Sequence, residues 1–404
     1  MSEATHDGEV PRSRVQTQLS RASRSPVASW FWETDRMLLL LALLLIAIGL
    51  VAVAAASPAS TQRYSDSTHH MPSMHYFWRQ LAWVCVSVPV MLAVSMLPIT
   101  VARRIALIGC GVFVLLLAAV PFVGSEVNGA RRWLGVGIAE FQPSEFLKPL
   151  FIVASAWLLS LKSKDAGLPM IAVTGVLTAA IAGLLMMQPD FGQTIIFGSV
   201  WMLLLVLAGV SPKTIAGLGG AGLAGIVAAY LFYGNARNRI DAFISGGEQG
   251  SDTYQMDMAH ATLTGGGVFG TGPGGGTVKF KLPEAHTDYI YSVVGEEFGL
   301  VACAAIALLY LAIIARVFIK LLDEEDSFRL LAAAGLASQF GVQALINMAV
   351  NTGLAPSKGM TLPFISYGGS SMIALSLGMG LLLAFTRRNP YLNRSPYLVR
   401  WSGK

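Results

Sequence analysis

The chain has 404 residues, of which 54% are hydrophobic and only 13% charged. A soluble domain carries roughly 25% charged residues, so an ordinary water-soluble enzyme is excluded and the length is better counted in membrane spans of about 20 residues. The formal net charge of +5 comes from Lys and Arg in the tails and short turns. No basic stripe with interleaved aromatics marks a nucleic-acid groove, so no nucleic-acid partner is expected.

Residues 1–36 are mostly polar and rich in Ser, Arg and Thr, which predicts a disordered cytoplasmic tail rather than a cleaved signal peptide. Ten apolar runs follow, at 37–56, 77–98, 104–123, 145–161, 169–187, 192–210, 214–233, 290–318, 328–350 and 364–386. Their length and hydropathy predict helices, and the short alternating strands of a membrane barrel are missing. The fold class is therefore an all-α polytopic membrane protein with about ten transmembrane helices across 37–386. Lys and Arg concentrate in the N-tail, in one alternating set of turns and in the C-tail 387–404, so the positive-inside rule makes both termini cytoplasmic. The opposite face then carries the turns 57–76, 124–144, 188–191, 234–289 and 351–363. The longest, 234–289, is a Gly-rich extracytoplasmic loop between helices 7 and 8, and its stretch 262–276 reads as mobile. Membrane lipids are the first partner that this layout implies.

Polar chemistry collects on the outward face. Arg131 and Arg132 break the positive-inside pattern there, and basic residues on that side often have a function, although a fringe Arg can also snorkel to headgroups. Gln142–Pro143–Ser144–Glu145 reads as a helix entry with Ser144 as a candidate cap; Glu145 and Lys148, three apart, share a helix face as an ion pair or a functional pair. Asp190, after Gln188–Pro189, can cap the next helix, yet a carboxylate at a membrane boundary is expensive enough to suggest function. Glu284, His286 and Asp288 crowd one short segment before the eighth helix, with Glu296 and Glu297 two turns into it. Asp288 reads either as that helix's cap or as a proton acceptor, because an acid at a dry boundary can be tuned toward neutral pH. Gln343, Asn347 and Asn351 recur every four residues as a polar stripe, best explained as interhelical glue. After them comes an irregular, Gly- and Pro-rich segment with Lys358, Ser366 and Ser370, the kind of backbone tolerated where it lines a cavity or is buried in protein. Cations at Arg131, Arg132 and Lys358 on one face suit a diphosphate.

Other signals are discounted. Gly270, Gly272 and Gly275 match a dinucleotide fingerprint without the βαβ unit that gives it meaning, and there is no Walker A loop. His69, His70 and His75 near Met71 and Met74 read as a solvated loop rather than a metal site. Cys85, Cys110 and Cys303 lie in apolar runs and read as core residues.

The blocks NGARRW…FQPSEFLK, QPDFGQT, LPEAHTDYIYSVVGEEFG and NTGLAPSKGMTLPFISYGGSS, in this order across about 30–390, resemble the SEDS family (shape, elongation, division and sporulation proteins) of bacterial cell-wall synthesis. The long polar tail and the Pro-Glu-Ala-His-Thr-Asp and Ser-Tyr-Gly-Gly-Ser-Ser forms look most like its division branch. The resemblance implies a peptidoglycan glycosyltransferase of the cytoplasmic (inner) membrane, at the division septum, polymerising lipid II into a growing lipid-linked glycan. It implies a class B penicillin-binding protein as partner, together with other divisome membrane proteins. The family's essential acid falls on Asp288. Arg131, Arg132, Glu145, Lys148, Asp190, His286, Glu296, Lys358, Ser366 and Ser370 are then the candidates for binding substrate or shaping its cavity. A divalent cation, magnesium or manganese, would suit a leaving diphosphate, and its ligands are not legible here. One departure is Met258, where many members carry Gln. Residue spacing alone leaves open a lipid flippase or transporter and a non-catalytic scaffold of the division machinery.

Overall fold

The computed structural model describes residues 26–65, 71–127, 130–135, 137, 140–162, 165, 167–232, 234, 237, 241, 251–356 and 359–387. Among them the helices are α1 (Pro26–Glu33), α2 (Arg36–Tyr64), α3 (His75–Ser95), α4 (Ile99–Val123), α5 (Pro143–Lys162), α6 (Met170–Met187), α7 (Phe191–Leu207), α8 (Pro212–Phe232), α9 (Ser251–Gly265), α10 (Ile290–Leu321), α11 (Ser327–Asn351) and α12 (Gly369–Phe385). Eight of these are long and apolar enough to cross a membrane; α7 and α12 are apolar and slightly shorter. Together they are the ten helices that the apolar runs predict.

The aspartates that begin helices show why the elements start where they do. Asp35 Oδ1 accepts the amides of Met37 and Leu38 at 3.1 and 3.2 Å, Asp190 accepts that of Gln193 at 3.3 Å, and Asp326 those of Phe328 and Arg329 at 2.9 and 3.2 Å. Each satisfies amides that have no partner within the helix. Asp35 also pairs with Arg316 (3.0 Å) and Lys320 (3.2 Å), tying the start of α2 to the end of α10. Arg387 donates to the carbonyl of Leu97 at 2.7 Å, and Arg329 to those of Phe385 and Arg387. Basic residues thus close the last carbonyls of α3 and α12 at one end of the bundle, the favourable end of each helix dipole. This is the end that the charge pattern assigns to the cytoplasm.

At the centre, α5 packs against α4, α11 and α12 and is buried along most of its length. By contrast, no described residue of α8 is buried.

Four features differ from the sequence expectation. Residues 26–33, assigned to an irregular tail, form α1, with Trp30 Nε1 bonded to Ser95 Oγ at 2.9 Å. Between α4 and α5 a short antiparallel pair forms, β1 (Ser125–Val127) with β2 (Ala130–Trp133). Cys85 is exposed on α3, so only Cys110 and Cys303 are core residues; no disulfide joins them.

The fourth is the Gly-rich loop, which is anchored. Gly299 breaks α10 with φ +80°, a conformation natural to glycine. The break strips amides and carbonyls of their helical partners, and the loop replaces them. The carbonyls of Glu296 and Glu297 accept the amides of Thr271 and Gly272 at 2.9 and 3.0 Å. The amides of Leu300 and Val301 donate to the carbonyls of Gly267 and Val268 at 3.1 and 3.2 Å. Backbone lies on backbone here: a Cβ on Gly266 would sit 2.1 Å from the Gly295 carbonyl oxygen, and one on Gly270 2.2 Å from that of Glu297. The glycines are needed for this contact, since any side chain would hold the loop off the helix.

Candidate active site

The segment 282–289 is a run of turns entering α10. The cap position of α10 is Tyr289, with no side-chain cap bond, so the reading of Asp288 as the helix cap is corrected. Asp288 is half-buried, and the residues before it are gripped from two sides. Glu284, at φ +52°, accepts the Tyr64 hydroxyl at 2.8 Å and the Thr287 hydroxyl at 2.7 Å. From the other side, the Tyr367 amide donates to the His286 carbonyl at 2.9 Å and Ser366 Oγ to the Thr287 carbonyl at 2.6 Å. Asn347 and Asn351 both donate to the Asp288 carbonyl, at 2.9 and 3.0 Å. Gly359 stands against the carboxylate: a Cβ there would lie 3.3 Å from Asp288 Oδ2.

His286 is packed among tyrosine rings, with centroids 4.1 Å from Tyr76, 5.3 Å from Tyr367 and 6.2 Å from Tyr64. Burial pulls its imidazole down to about 4, against the opposing pull of Glu284, so it is neutral at physiological pH. Its Nδ1 is buried with no hydrogen-bond partner among the described residues.

A second cluster lies deeper in the bundle, around α5. Lys148 donates to Glu145 Oε1 and Gln343 Oε1, both at 2.9 Å, and Gln193 donates to Glu145 Oε1 at 2.7 Å. Lys148 is 2% and Glu145 5% exposed. A cavity of about 10 Å³ beside them is lined by these two, Gln339 and apolar side chains. Glu145 Oε2 is buried without a partner. Ser144 caps nothing: it lies within the first turn of α5, and its hydroxyl has no partner among the described residues. Asp190 accepts from Gln142 at 3.2 Å and lies 3.9 Å from Arg132, which also donates to the Gln188 and Pro189 carbonyls at 3.1 and 2.6 Å. Burial raises the Asp190 carboxyl, and Arg132 pulls the other way.

The polar stripe of α11 joins the two clusters. Gln343, which receives Lys148, donates to the Thr361 carbonyl at 3.0 Å, and Asn347 donates to the Met360 carbonyl at 2.7 Å.

The remaining predicted residues are dispersed. Arg131 is exposed on β2 and paired with Glu126 at 3.4 Å. Glu296 is buried beneath the Gly-rich loop, and its two oxygens accept the Val278 and Lys279 amides at 2.7 and 3.0 Å. Ser370 is buried in the first turn of α12. Lys358 lies outside the described residues.

Sequence reading missed two cations. Lys279 is buried against Glu297 and donates to the Ala55 carbonyl at 2.9 Å. Arg79 is exposed on α3, and its charge acts on the hydroxyls of Tyr76 and Tyr367 beside His286. Lys279 lies in, and Arg79 just after, a turn that the charge pattern assigns to the outward face, and the positive-inside argument that singles out Arg131 and Arg132 applies equally to them. Among the described residues no three His, Cys, Asp or Glu side chains converge on a metal position.

Comparison with known proteins follows the same outline. The sequence profile of the FtsW, RodA and SpoVE cell cycle proteins matches residues 35–391. The probable peptidoglycan glycosyltransferase FtsW of Caulobacter vibrioides is 38% identical over 379 residues, which cover 94% of this chain and 95% of that one. The protein of the same name from Geobacter sulfurreducens is 34% identical over 366 residues, 88% and 95% of the two chains. Among solved structures, the rod shape determining protein RodA of Thermus thermophilus superposes with a TM-score of 0.64 at 26% identity, over 87% of this chain and 96% of that one. A chain from a peptidoglycan synthase complex, described as coordinating polymerization and crosslinking, gives 0.72 at 28% identity, over 87% and 97%.

Proposed function

The chain belongs to the FtsW/RodA/SpoVE family of cell cycle proteins, and on that footing we propose that it is a peptidoglycan glycosyltransferase polymerising lipid II on the outer face of the cytoplasmic membrane. The reading extends to septal wall synthesis in division, with a class B penicillin-binding protein and other divisome membrane proteins as partners. The observation that carries it is Asp288, half-buried at the outward end of α10, in a segment whose three carbonyls from His286 to Asp288 are each held by hydrogen bonds.

In the reaction, a sugar hydroxyl attacks the anomeric carbon of the glycan carried on a lipid diphosphate. A new C–O bond forms, the bond to the diphosphate breaks, and the diphosphate leaves with the electron pair. Asp288 accepts the proton from the attacking hydroxyl. The diphosphate is already a good leaving group, so no strong acid is required; positive charge suffices. One displacement inverts the anomeric centre, and one carboxylate is enough.

Of the candidate cations, Lys148 and Arg132 are engaged inside the protein. That leaves Arg131, Lys358 and the newly located Arg79 as the side chains proposed to meet the diphosphate. Were a magnesium or manganese ion bound, Asp288 would be the residue to hold it, and the ion would supply positive charge for the departing diphosphate.

The test compares wild type with Asp288→Asn in polymerisation of labelled lipid II, using the intact chain with its penicillin-binding partner. Asparagine keeps the size and disturbs no helix cap, so thermal unfolding should be unchanged while long glycan strands disappear. A folded variant that polymerises at the wild-type rate removes Asp288 as the base and moves the weight to lipid transport or to a scaffold.

A further inference from the structure

We infer that Asn347 and Asn351 are positioning residues that set the proposed base through the main chain of Asp288; the inference rests on the function proposed above. Asp288 lies in a run of turns, so no helix or sheet ladder fixes its backbone. A peptide carbonyl has two acceptor sites, and at Asp288 two amide groups occupy them, one turn apart on α11.

The second amide hydrogen of Asn347 goes to the Met360 carbonyl at 2.7 Å. Met360 follows Gly359, the residue against which Asp288 Oδ2 is placed. One side chain therefore fixes both the backbone that carries the carboxylate and the strand of chain that faces it. Asn351 extends the same register into α10: its Oδ1 accepts the Ser292 amide at 3.1 Å and the Ser292 hydroxyl at 2.8 Å.

Asn347 is 2% and Asn351 0% exposed. Neither reaches substrate, so any effect on chemistry must pass through Asp288. Interhelical glue, the role that spacing alone suggests, would join α11 to α10 by side-chain contacts anywhere along the interface. Here the donors meet on one carbonyl oxygen, that of the proposed base. A base must be held to within a fraction of an ångström, and a misplacement of about 1 Å can cost on the order of 100-fold in rate.

The experiment uses the full chain with its penicillin-binding partner in lipid bilayers and measures polymerisation of labelled lipid II. Asn347→Ser, too short to reach Asp288, is expected to lower kcat by about 10- to 100-fold and to leave KM within about twofold, as for an interaction expressed only in the transition state. In an Asp288→Glu background, where the carboxylate is already displaced, the same change should cost much less than in wild type, because residues acting as a unit are non-additive. A wild-type kcat for Asn347→Ser overturns the inference, and so does a loss that multiplies in full with Asp288→Glu, since that marks glue. If Asn347→Ser does not fold, the isosteric Asn347→Asp is read by the same criteria. Failure of the base assignment is seen separately: Asp288→Asn then polymerises normally, whatever Asn347 does.

Discussion

Replacing Lys279 by Met should be among the most damaging single changes outside the catalytic segment. The Lys279 ammonium donates to the Glu297 carboxylate and to the Ala55 carbonyl, and the two charged side chains are 2% and 1% exposed. Methionine keeps most of the volume and removes the charge, leaving Glu297 buried and unpaired. Breaking a buried pair from one side costs about 3–5 kcal/mol, because an uncompensated charge remains. At about 1.4 kcal/mol per tenfold, that lowers the folded-to-unfolded ratio by roughly two to three and a half orders of magnitude. The double variant Lys279→Met with Glu297→Leu removes both charges and should recover most of the loss, since a buried pair replaced by apolar groups is often neutral. Thermal unfolding in bilayer discs would be followed by a thiol-reactive dye at the buried Cys110 and Cys303, with the exposed Cys85 replaced by Ser. A midpoint for Lys279→Met equal to wild type refutes the reasoning, and so does a double variant as unstable as the single one.

Further outcomes follow from neighbouring contacts. Gly359→Ala places a methyl 3.3 Å from Asp288 Oδ2 and should lower polymerisation by about tenfold or more with the unfolding midpoint unchanged; full activity would show that the carboxylate moves aside freely. Gly299→Ala forces alanine to φ +80°, 2.3 Å from the Val268 carbonyl. It should cost at least about 1–2 kcal/mol and expose the 265–276 loop to protease, whereas an unchanged digestion pattern would sever the loop from the helix break. For His286 the folded value falls from 6.5 to about 4, so between those limits the unfolded chain binds more protons. Stability is then full above pH 6.5 and declines as pH falls toward 4, by about 3 kcal/mol at most. His286→Phe should flatten that slope in pH-dependent unfolding, and a slope that persists in the variant would assign it to another group.

Legibility in the sequence followed the range over which each contact acts. The ten helices were readable because a membrane imposes one length and one composition on every span. Asp190 as a cap, the Glu145–Lys148 pair and the four-residue rhythm of Gln343, Asn347 and Asn351 were readable because each needs only helix geometry. Contacts between distant segments were not. Tyr64 and Glu284 are 220 residues apart, and Ser366 and Thr287 79 apart. Lys279 and Glu297 are 18 residues apart with a run of turns and a helix entry between them, so their pairing has no local signature. The Gly-rich stretch read as mobile because glycine permits motion, yet the same lack of a side chain lets that loop complete the hydrogen bonds of a broken helix. Gly299 inside an apolar run was the one local sign of that break.

The other acids that the sequence offered serve structural contacts. Glu145 holds Lys148 and Gln193, Asp190 caps α7 beside Arg132, Glu296 binds two loop amides and Glu297 neutralises Lys279. Each of these four carboxylates has at least one oxygen engaged inside the protein. At Asp288, Asn347 and Asn351 both donate to the backbone carbonyl. They fix the main chain that carries the carboxylate, the support from surrounding residues that a general base requires.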